Sequence, residues 1–409
     1  MPISKVTIDS FKSINNLTLE FGQVNVFIGA NGSGKSNILE ALAILSCAVE
    51  GSLDYHKLAY RGSRISSPEI FKSSFKHIDR KNHFSISSDL GGIEYSLTAT
   101  SSTKTKLKFK TEKIARKTNG RNHKIGGRGP HGTDINGMKG MGAELTSDQG
   151  LFPLLEAFKN FSKKETEILN DIKNYAIYSV TTPALRGISG DTSNRSPLGL
   201  YGGGLASSLK EIVLAHNRGG EFKEIQSFFK IFDWYKSIGT TEDISKELLS
   251  VHVNTIDGVP VYTDKFMKTN FNKLYAYDVS EGALYALFYI VLLMHKESPN
   301  IFAIDNVDAT LNPSAARATM SNMVSMISKY QNKQIFVTTH NPSTLDAIDL
   351  FDDKNRLFVV YRNESGHTKA DRISPPESFT REKWIEKYEG QRLSEIWLSG
   401  LIGGLDERF

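Results

Sequence analysis

The stretch Val24-Asn25-Val26-Phe27-Ile28-Gly29-Ala30-Asn31-Gly32-Ser33-Gly34-Lys35-Ser36-Asn37-Ile38-Leu39 decides the fold. Val24–Ile28 is a short apolar run ending in glycine, which reads as a central strand. From Asn37 to Val49 the residues Ile38, Leu42 and Leu45 recur at helical spacing, with Ala41, Ala43 and Ala48 between them. Between strand and helix lies the full phosphate-loop pattern G-x-x-x-x-G-K-[ST]. Its glycines let backbone N–H groups turn inward around an anion without a Cβ clash. The helix start presents its positive end to the same anion. The loop Asn31, Gly32, Ser33, Gly34, Lys35 and Ser36 is therefore the candidate phosphate site. Lys35 supplies charge to the outer phosphates, and the Ser36 hydroxyl supplies a Mg²⁺ ligand.

Outward from this loop the chain alternates strand and helix again in its last third. Ala283–Met294 reads as a helix, Ile301–Ile304 as a buried strand, Ser314–Tyr330 as a helix and Gln334–Thr338 as a strand. Such alternation predicts a largely parallel sheet with helices on its faces. Arg356–Arg362 and Thr368–Ile373 flank the turn Asn363-Glu364-Ser365-Gly366 as a closing hairpin. Residues 3–9 and 17–28 read as strands. In the β-rich stretch 55–114, His83–Ser87 and Glu94–Thr98 alternate around Gly91-Gly92 as a hairpin. Residues 115–143 are glycine-rich and basic and read as a mobile loop. Residues 151–250 read as mostly helical, interrupted by the strand-like Ala176–Val180. The expected organisation is 1–150 with an antiparallel lobe and the loop 104–143, an inserted helical lobe at 151–255, and 256–409 completing the sheet.

Composition bounds the partners. The chain has 409 residues and a net charge of +5. Eleven Lys or Arg against Glu112 and Asp134 fall between Lys104 and Lys139, giving that window +9 and the remainder −4. A local basic surface predicts an anionic partner, and nucleic acid through 104–128 is the expectation. The single cysteine, Cys47, excludes a disulfide framework within the chain. Met1–Ser10 lacks the pattern of a secretory leader. Ala283–Met294 is too short to span a bilayer. The expected location is the cytoplasm, with no membrane contact.

Phe11-Lys12-Ser13, the phosphate loop and Asn37-Ile38-Leu39-Glu40-Ala41 together resemble the N-terminal half of a RecF or SMC head, an ABC-type ATPase. The second half matches in order. Val279-Ser280-Glu281-Gly282 resembles the signature motif, Ile301–Asp305 the Walker B strand, Asp308–Asn312 the D-loop, and Thr338–Asn341 the H-loop. The resemblance implies ATP with Mg²⁺ as ligands and Asp305 as a metal-side carboxylate. It implies that Ser280, Glu281 and Gly282 grip the ATP of a partner subunit, and that His340 contacts the γ-phosphate. Lys12 matches a basic residue near the nucleotide, and Gln149 is the candidate Q-loop residue on the metal. Where the family places a glutamate after the Walker B aspartate, this chain has Asn306. An amide cannot accept the proton, and loss of a general base costs about 10²–10⁴-fold in rate. Slow hydrolysis is expected, with Asp308 as the alternative acceptor.

No heptad pattern persists, and the stretch 341–409 is too short for the Toprim nuclease domain of OLD proteins. The chain most resembles stand-alone OLD/RecF-like ATPases of bacterial anti-phage defence operons, the PtuA and AriA types. That resemblance implies an ATP-gated dimer or higher oligomer controlling a separately encoded effector nuclease or toxin. The alternatives are a RecF-like repair clamp and a nucleotide-locked scaffold. Leu393, Ile396, Trp397 and Leu401 form an apolar stripe expected to dock on a neighbouring subunit or on the effector.

Overall fold

The computed structural model describes residues 1–103, 106–118, 121–130, 132–136, 138–139, 145–216, 221–241, 259–330 and 332–402. The first half builds β1 (Lys5–Phe11), β2 (Ile14–Glu20), β3 (Val24–Ile28), α1 (Lys35–Glu50), α2 (Tyr55–Tyr60), β4 (His83–Leu90), β5 (Ile93–Thr103), β6 (Lys106–Thr118), β7 (Arg121–Gly129), β8 (Gly132–Ile135) and β9 (Met138–Lys139). All but β3 join one antiparallel sheet, in the order β2-β1-β4-β5-β6-β7-β8-β9. The β4–β5 hairpin is as expected. Leu90 pairs with Ile93 across Gly91-Gly92, whose φ values of 64° and 100° only glycine adopts readily. The expected strand 17–28 is two strands in two sheets. They part at Gly22, where a Cβ would lie 2.3 Å from the Lys354 carbonyl oxygen.

The expected mobile loop is instead part of this sheet: β6 to β9 continue the meander. One face of an antiparallel sheet can remain solvated, so few apolar residues suffice. Leu107, Phe109, Ile114, Ile125 and Ile135 supply them, all buried. Lys104, Asn119 and Gly120, by contrast, lie outside the described residues.

The rest of the chain adds α3 (Phe152–Ala157), α4 (Lys163–Lys173), β10 (Ala176–Tyr178), α5 (Thr182–Leu185), α6 (Leu205–His216), α7 (Glu221–Phe228), β11 (Tyr235–Thr241), β12 (Val259–Asp264), β13 (Lys273–Tyr275), α8 (Glu281–Met294), β14 (Ile301–Ile304), α9 (Pro313–Lys329), β15 (Gln334–Thr339), β16 (Asn355–Arg362), β17 (Thr368–Ile373), α10 (Arg381–Lys387) and α11 (Leu393–Leu398). The central sheet has the order β10-β14-β15-β3-β16-β17, parallel except for its last strand. The stretch 151–255 is thus not simply helical. The strand-like Ala176–Val180 contains the edge strand β10, and the stretch also carries β11, which pairs with β12, itself paired with β13, in a small third sheet.

Two cores explain why β3 is buried throughout. Val24, Val26 and Ile28 face a core with α8 and α9, while Phe27 faces one shared with α1 and the antiparallel sheet. Buried on both faces, β3 has no exposed residue. Cys47 is buried on α1, and burial pushes its thiol up to about 12. No described helix is long and apolar enough to cross a membrane. The terminal stripe packs on its own chain: Ile396 and Trp397 are buried, Trp397 within the α8–α9 core, while Leu401 is 62% exposed.

Candidate functional site

Parallel strands place their C-terminal ends, and the loops that follow, on one edge of the sheet. The loop after β3 meets the ends of β14 and β15 there. Gly34 has a left-handed φ of 108°, and a Cβ on it would stand 2.1 Å from Thr368 Oγ1, so the loop tolerates only glycine at that point. Buried Lys35 donates from Nζ to the carbonyls of Gly29 (2.8 Å) and Ala30 (3.0 Å) and lies 3.4 Å from His340 Nδ1. Burial lowers its ammonium pKa to about 8, against the attraction of Asp305 and Asp308. Ser36 Oγ donates to Asp305 Oδ2 at 2.9 Å, and Thr338 Oγ1 donates to Asp305 Oδ1 at 2.5 Å. Thr338 Oγ1 also accepts from the Asn306 amide at 2.8 Å.

The residues fit a Mg-bound nucleoside triphosphate. A hydroxyl and a carboxylate 2.9 Å apart are hard oxygen donors of the kind Mg²⁺ takes, with phosphate and water completing its shell. Among the described residues no cluster of three or more His, Cys, Asp or Glu could hold a metal by itself. The Ser33 hydroxyl is buried in the loop with no hydrogen-bond partner, as a cradle awaiting an acceptor would have it. A cavity of about 270 Å³ opens over Gly32, Lys35 and Ser36 and is bordered by Asn31, Asn306 and His340.

His340 follows β15 and is held neutral: burial and then the Lys35 charge lower its pKa. Its backbone amide donates to Asp308 Oδ2 at 3.3 Å, which brings Asp308 to the site. Asn306 is exposed and left-handed, with φ of 60°. Asn312 caps α9, accepting from the Ala315 amide at 2.9 Å, with Pro313 at the first helical position. Ser280 is the N-cap residue of α8, but its side chain makes no cap hydrogen bond and is exposed beside exposed Glu281. A Cβ on Gly282 would sit 3.2 Å from Leu311 Cδ2, so this glycine lets α8 approach the loop before α9. Ser280, Glu281 and Gly282 are not among the residues lining the phosphate cavity of their own chain.

Two expectations change. Gln149 is exposed at the far end of α1, where Gly150 donates to the Gly51 carbonyl. The 16 residues of α1 separate it from Ser36 by about 24 Å, so it does not fit a metal ligand. Lys12 is engaged within the protein, ion-paired with buried Glu40 and covering the Phe71 ring at 4.9 Å, and it lines a larger cavity beside the loop together with Asn37. Glu40 also accepts from Arg64 Nε at 2.7 Å. Motif spacing missed a second ring of residues. Arg64 Nη2 donates to Asn37 Oδ1 (2.7 Å), and Asn37 Nδ2 donates to Ser13 Oγ (2.6 Å). Ser13 and Thr368 share a hydroxyl bond of 2.7 Å, and Thr368 donates to the Ser33 carbonyl at 2.8 Å. Asn37 directly follows the phosphate pattern and Thr338 directly precedes Thr339-His340, so both were within reach of a sequence argument. Arg64 and Thr368 carry no such signal.

Residues 2–369 match the model of the RecF/RecN/SMC N terminal domain family. No curated protein matches. Among solved structures, the chain is similar to an Smc head bound to the C-winged helix domain of ScpA. The two share 14% identity and a TM-score of 0.50, over 92% of this chain and 99% of that one. It is also similar to the SMC head domain from Thermotoga maritima, with 13% identity, TM-score 0.42, and 92% and 100% covered. The Smc head domain from Pyrococcus furiosus, with an extended coiled coil and bound to the C-terminal domain of ScpA, gives 12% identity, TM-score 0.44, and 95% and 98% covered.

Proposed function

The chain belongs to the RecF/RecN/SMC N-terminal domain family, and from that premise we propose an ATP-binding ATPase subunit that closes as a dimer around two nucleotides and acts on nucleic acid. The observation that carries the ATP part is the convergence of Lys35, Ser36 and His340 on one cavity, with Asp305 hydrogen-bonded to Ser36 and to Thr338 behind it. The dimer part rests on Ser280, which opens the 14-residue helix α8 with its hydroxyl uncommitted and outside its own phosphate cavity. A helix start with a free hydroxyl suits a phosphate offered by a second copy. Titration with ATP and Mg²⁺, followed by light scattering, tests both parts. Wild type that binds no ATP ends the first, and wild type that stays monomeric with ATP bound ends the second.

The nucleic-acid part is supported by one face of β6. Lys106, Lys108, Lys110, Lys113 and Lys117 lie on its solvent side, among the Ser and Thr residues of β4 and β5. Successive outward side chains along a strand stand about 6.7 Å apart, a row that suits a phosphate backbone. The defence-operon reading, with a separately encoded effector nuclease or toxin, rests on the motif resemblance. It is further supported by short helices: α9, at 17 residues, is the longest described, so no described helix reaches coiled-coil length. Copurification of the neighbouring gene's product tests it. A product that does not copurify, together with preferential binding to gapped DNA, would favour the repair clamp instead.

A further inference from the structure

Two arginines stand at the rim of the phosphate cavity, Arg64 and Arg362. Arg64 is ion-paired with Glu40, which also holds Lys12. Among the described residues Arg362 has no carboxylate partner. It ends β16, a strand of the other half of the chain, and among the described residues it bonds only to carbonyl oxygens: Nε donates to Gly32 at 3.0 Å and Nη1 to Gly366. Burial alone lowers its pKa, with no carboxylate opposing the shift. Two of the guanidinium's five N–H donors are used, which leaves three. Arg362 is exposed at the rim, so its spare donors and its uncompensated charge are free to meet an anionic ligand.

The position indicates which part of a ligand does so. Arg362, Arg64 and Asn37 line both the phosphate cavity and a second cavity of about 580 Å³ that contains Phe75 and Ile70. These three residues form the junction between the two spaces. A triphosphate with its outer end on Lys35 and Ser36 and its nucleoside in the larger space would pass this junction with its inner phosphates at Arg362. Thr368 fixes the same hairpin to the loop through the Ser33 carbonyl. We propose that Arg362 is a ligand of the nucleotide's α- and β-phosphates, contributed by the closing β16–β17 hairpin and held in register by Thr368.

The proposal rests on the ATP-binding reading, and the test separates the two. Calorimetric titration with ATP, ADP, AMP and adenosine is run on wild type, Lys35→Ala, Arg362→Gln and Arg362→Lys. The Gln variant retains a donor for the Gly32 carbonyl and removes only the charge and the fork. The expected result is a tenfold or greater loss of affinity for ATP, ADP and AMP alike in Arg362→Gln. The ATP-to-ADP ratio stays unchanged, adenosine is unaffected, and Arg362→Lys recovers part of the loss. Thr368→Ser should bind as wild type, and Thr368→Val should show a milder form of the Arg362→Gln defect. Wild-type affinities in Arg362→Gln alongside lost ATP binding in Lys35→Ala overturn the proposal. Full ATP binding in Lys35→Ala overturns the ATP site itself. If Arg362→Gln melts well below wild type without nucleotide, Arg362→Lys decides: wild-type affinity with a wild-type melt supports a cationic ligand, and an Arg362→Gln-like loss of AMP affinity with a wild-type melt supports the fork.

Discussion

Lys35 carries the charge of the phosphate loop while sitting in a site that disfavours charge. Its pKa of about 8 lies below the 10.5 of a free lysine, so between these values the unfolded chain binds more protons than the folded one. Nucleotide-free stability therefore rises with pH across that window. A bound triphosphate restores the ammonium, so binding takes up a proton above pH 8, and ATP affinity falls as pH climbs past it. Calorimetry at about pH 9 in two buffers of different ionisation enthalpy should show the uptake, and the same pair at about pH 6.5 should not. Asn306 sets a second residue-level expectation. Its left-handed φ of 60° is tolerated by Asn and costs other side chains about 1–2 kcal/mol. Asn306→Glu should therefore lower the melting temperature while raising steady-state phosphate release at least tenfold, or about 1.4 kcal/mol of barrier. Asp308 lies beside His340, so it is the competing acceptor: ordinary wild-type turnover that Asp308→Asn abolishes would assign the proton to it. The contiguous part of this site is legible in the sequence, because a strand, a loop and a helix start specify it in eight consecutive residues. Arg64, Arg362 and Thr368 are not, because only tertiary folding brings them to the loop.

At the scale of elements, the basic strands β6 and β7 divide into charge paired within the protein and charge turned to solvent. Arg116 donates to Glu165 at 2.7 Å, Lys124 to Asp134 at 2.6 Å, and Arg128 to buried Glu112. These three basic residues of the window are engaged within the protein, whereas the lysines on the outer face of β6 are turned to solvent. Replacing Lys106, Lys108, Lys110 and Lys113 with glutamate should abolish low-salt binding to duplex and single-stranded DNA and leave the melt within a few degrees. The salt slope of the wild type should exceed that of a single Lys113→Ala variant by about one. Arg116→Glu, by contrast, should lower stability through Glu165 with little specific effect on binding. A filter-binding series against salt, paired with thermal melts, distinguishes these outcomes. The same segment shows why the sequence suggested a loop. Glycine-rich, basic composition is shared by linkers and by a one-faced sheet, and only the wide spacing of Leu107, Phe109, Ile114, Ile125 and Ile135 marks the difference. The β11–β12–β13 sheet escaped for another reason: β13 has three residues, too few to show an alternation, and β12 carries Pro260, which argues against a strand.

For the whole molecule, the proposed dimer turns on where Ser280 lies relative to the phosphate loop. Lys35 and Ser36 line one cavity, with Asp305 hydrogen-bonded to Ser36, while Ser280 sits at the start of α8, absent from that cavity's lining. A second copy rotated by a two-fold axis would bring each Ser280 to the other's nucleotide, an isologous interface in which both sites form at once. Nucleotide then acts as the adhesive, since only the loaded state offers α8 an anion. Lys35→Ala should remain monomeric with or without ATP because no nucleotide is held. Ser280→Arg should bind ATP with near wild-type affinity yet fail to dimerise, because its lesion lies in the opposing half-site. A mixture of the two variants makes the stricter test. One of the two sites in such a mixed pair unites an intact phosphate loop with an intact signature, so ATP-dependent heterodimer should reappear at reduced affinity. Light scattering of each variant and of the mixture reads all three states. Truncation at residue 390 is a separate control, since Ile396 and Trp397 are buried in their own chain: it should lower the melting temperature without creating the signature-specific defect. A mixture that stays monomeric while wild type dimerises would show that the signature and the phosphate loop do not work across the interface.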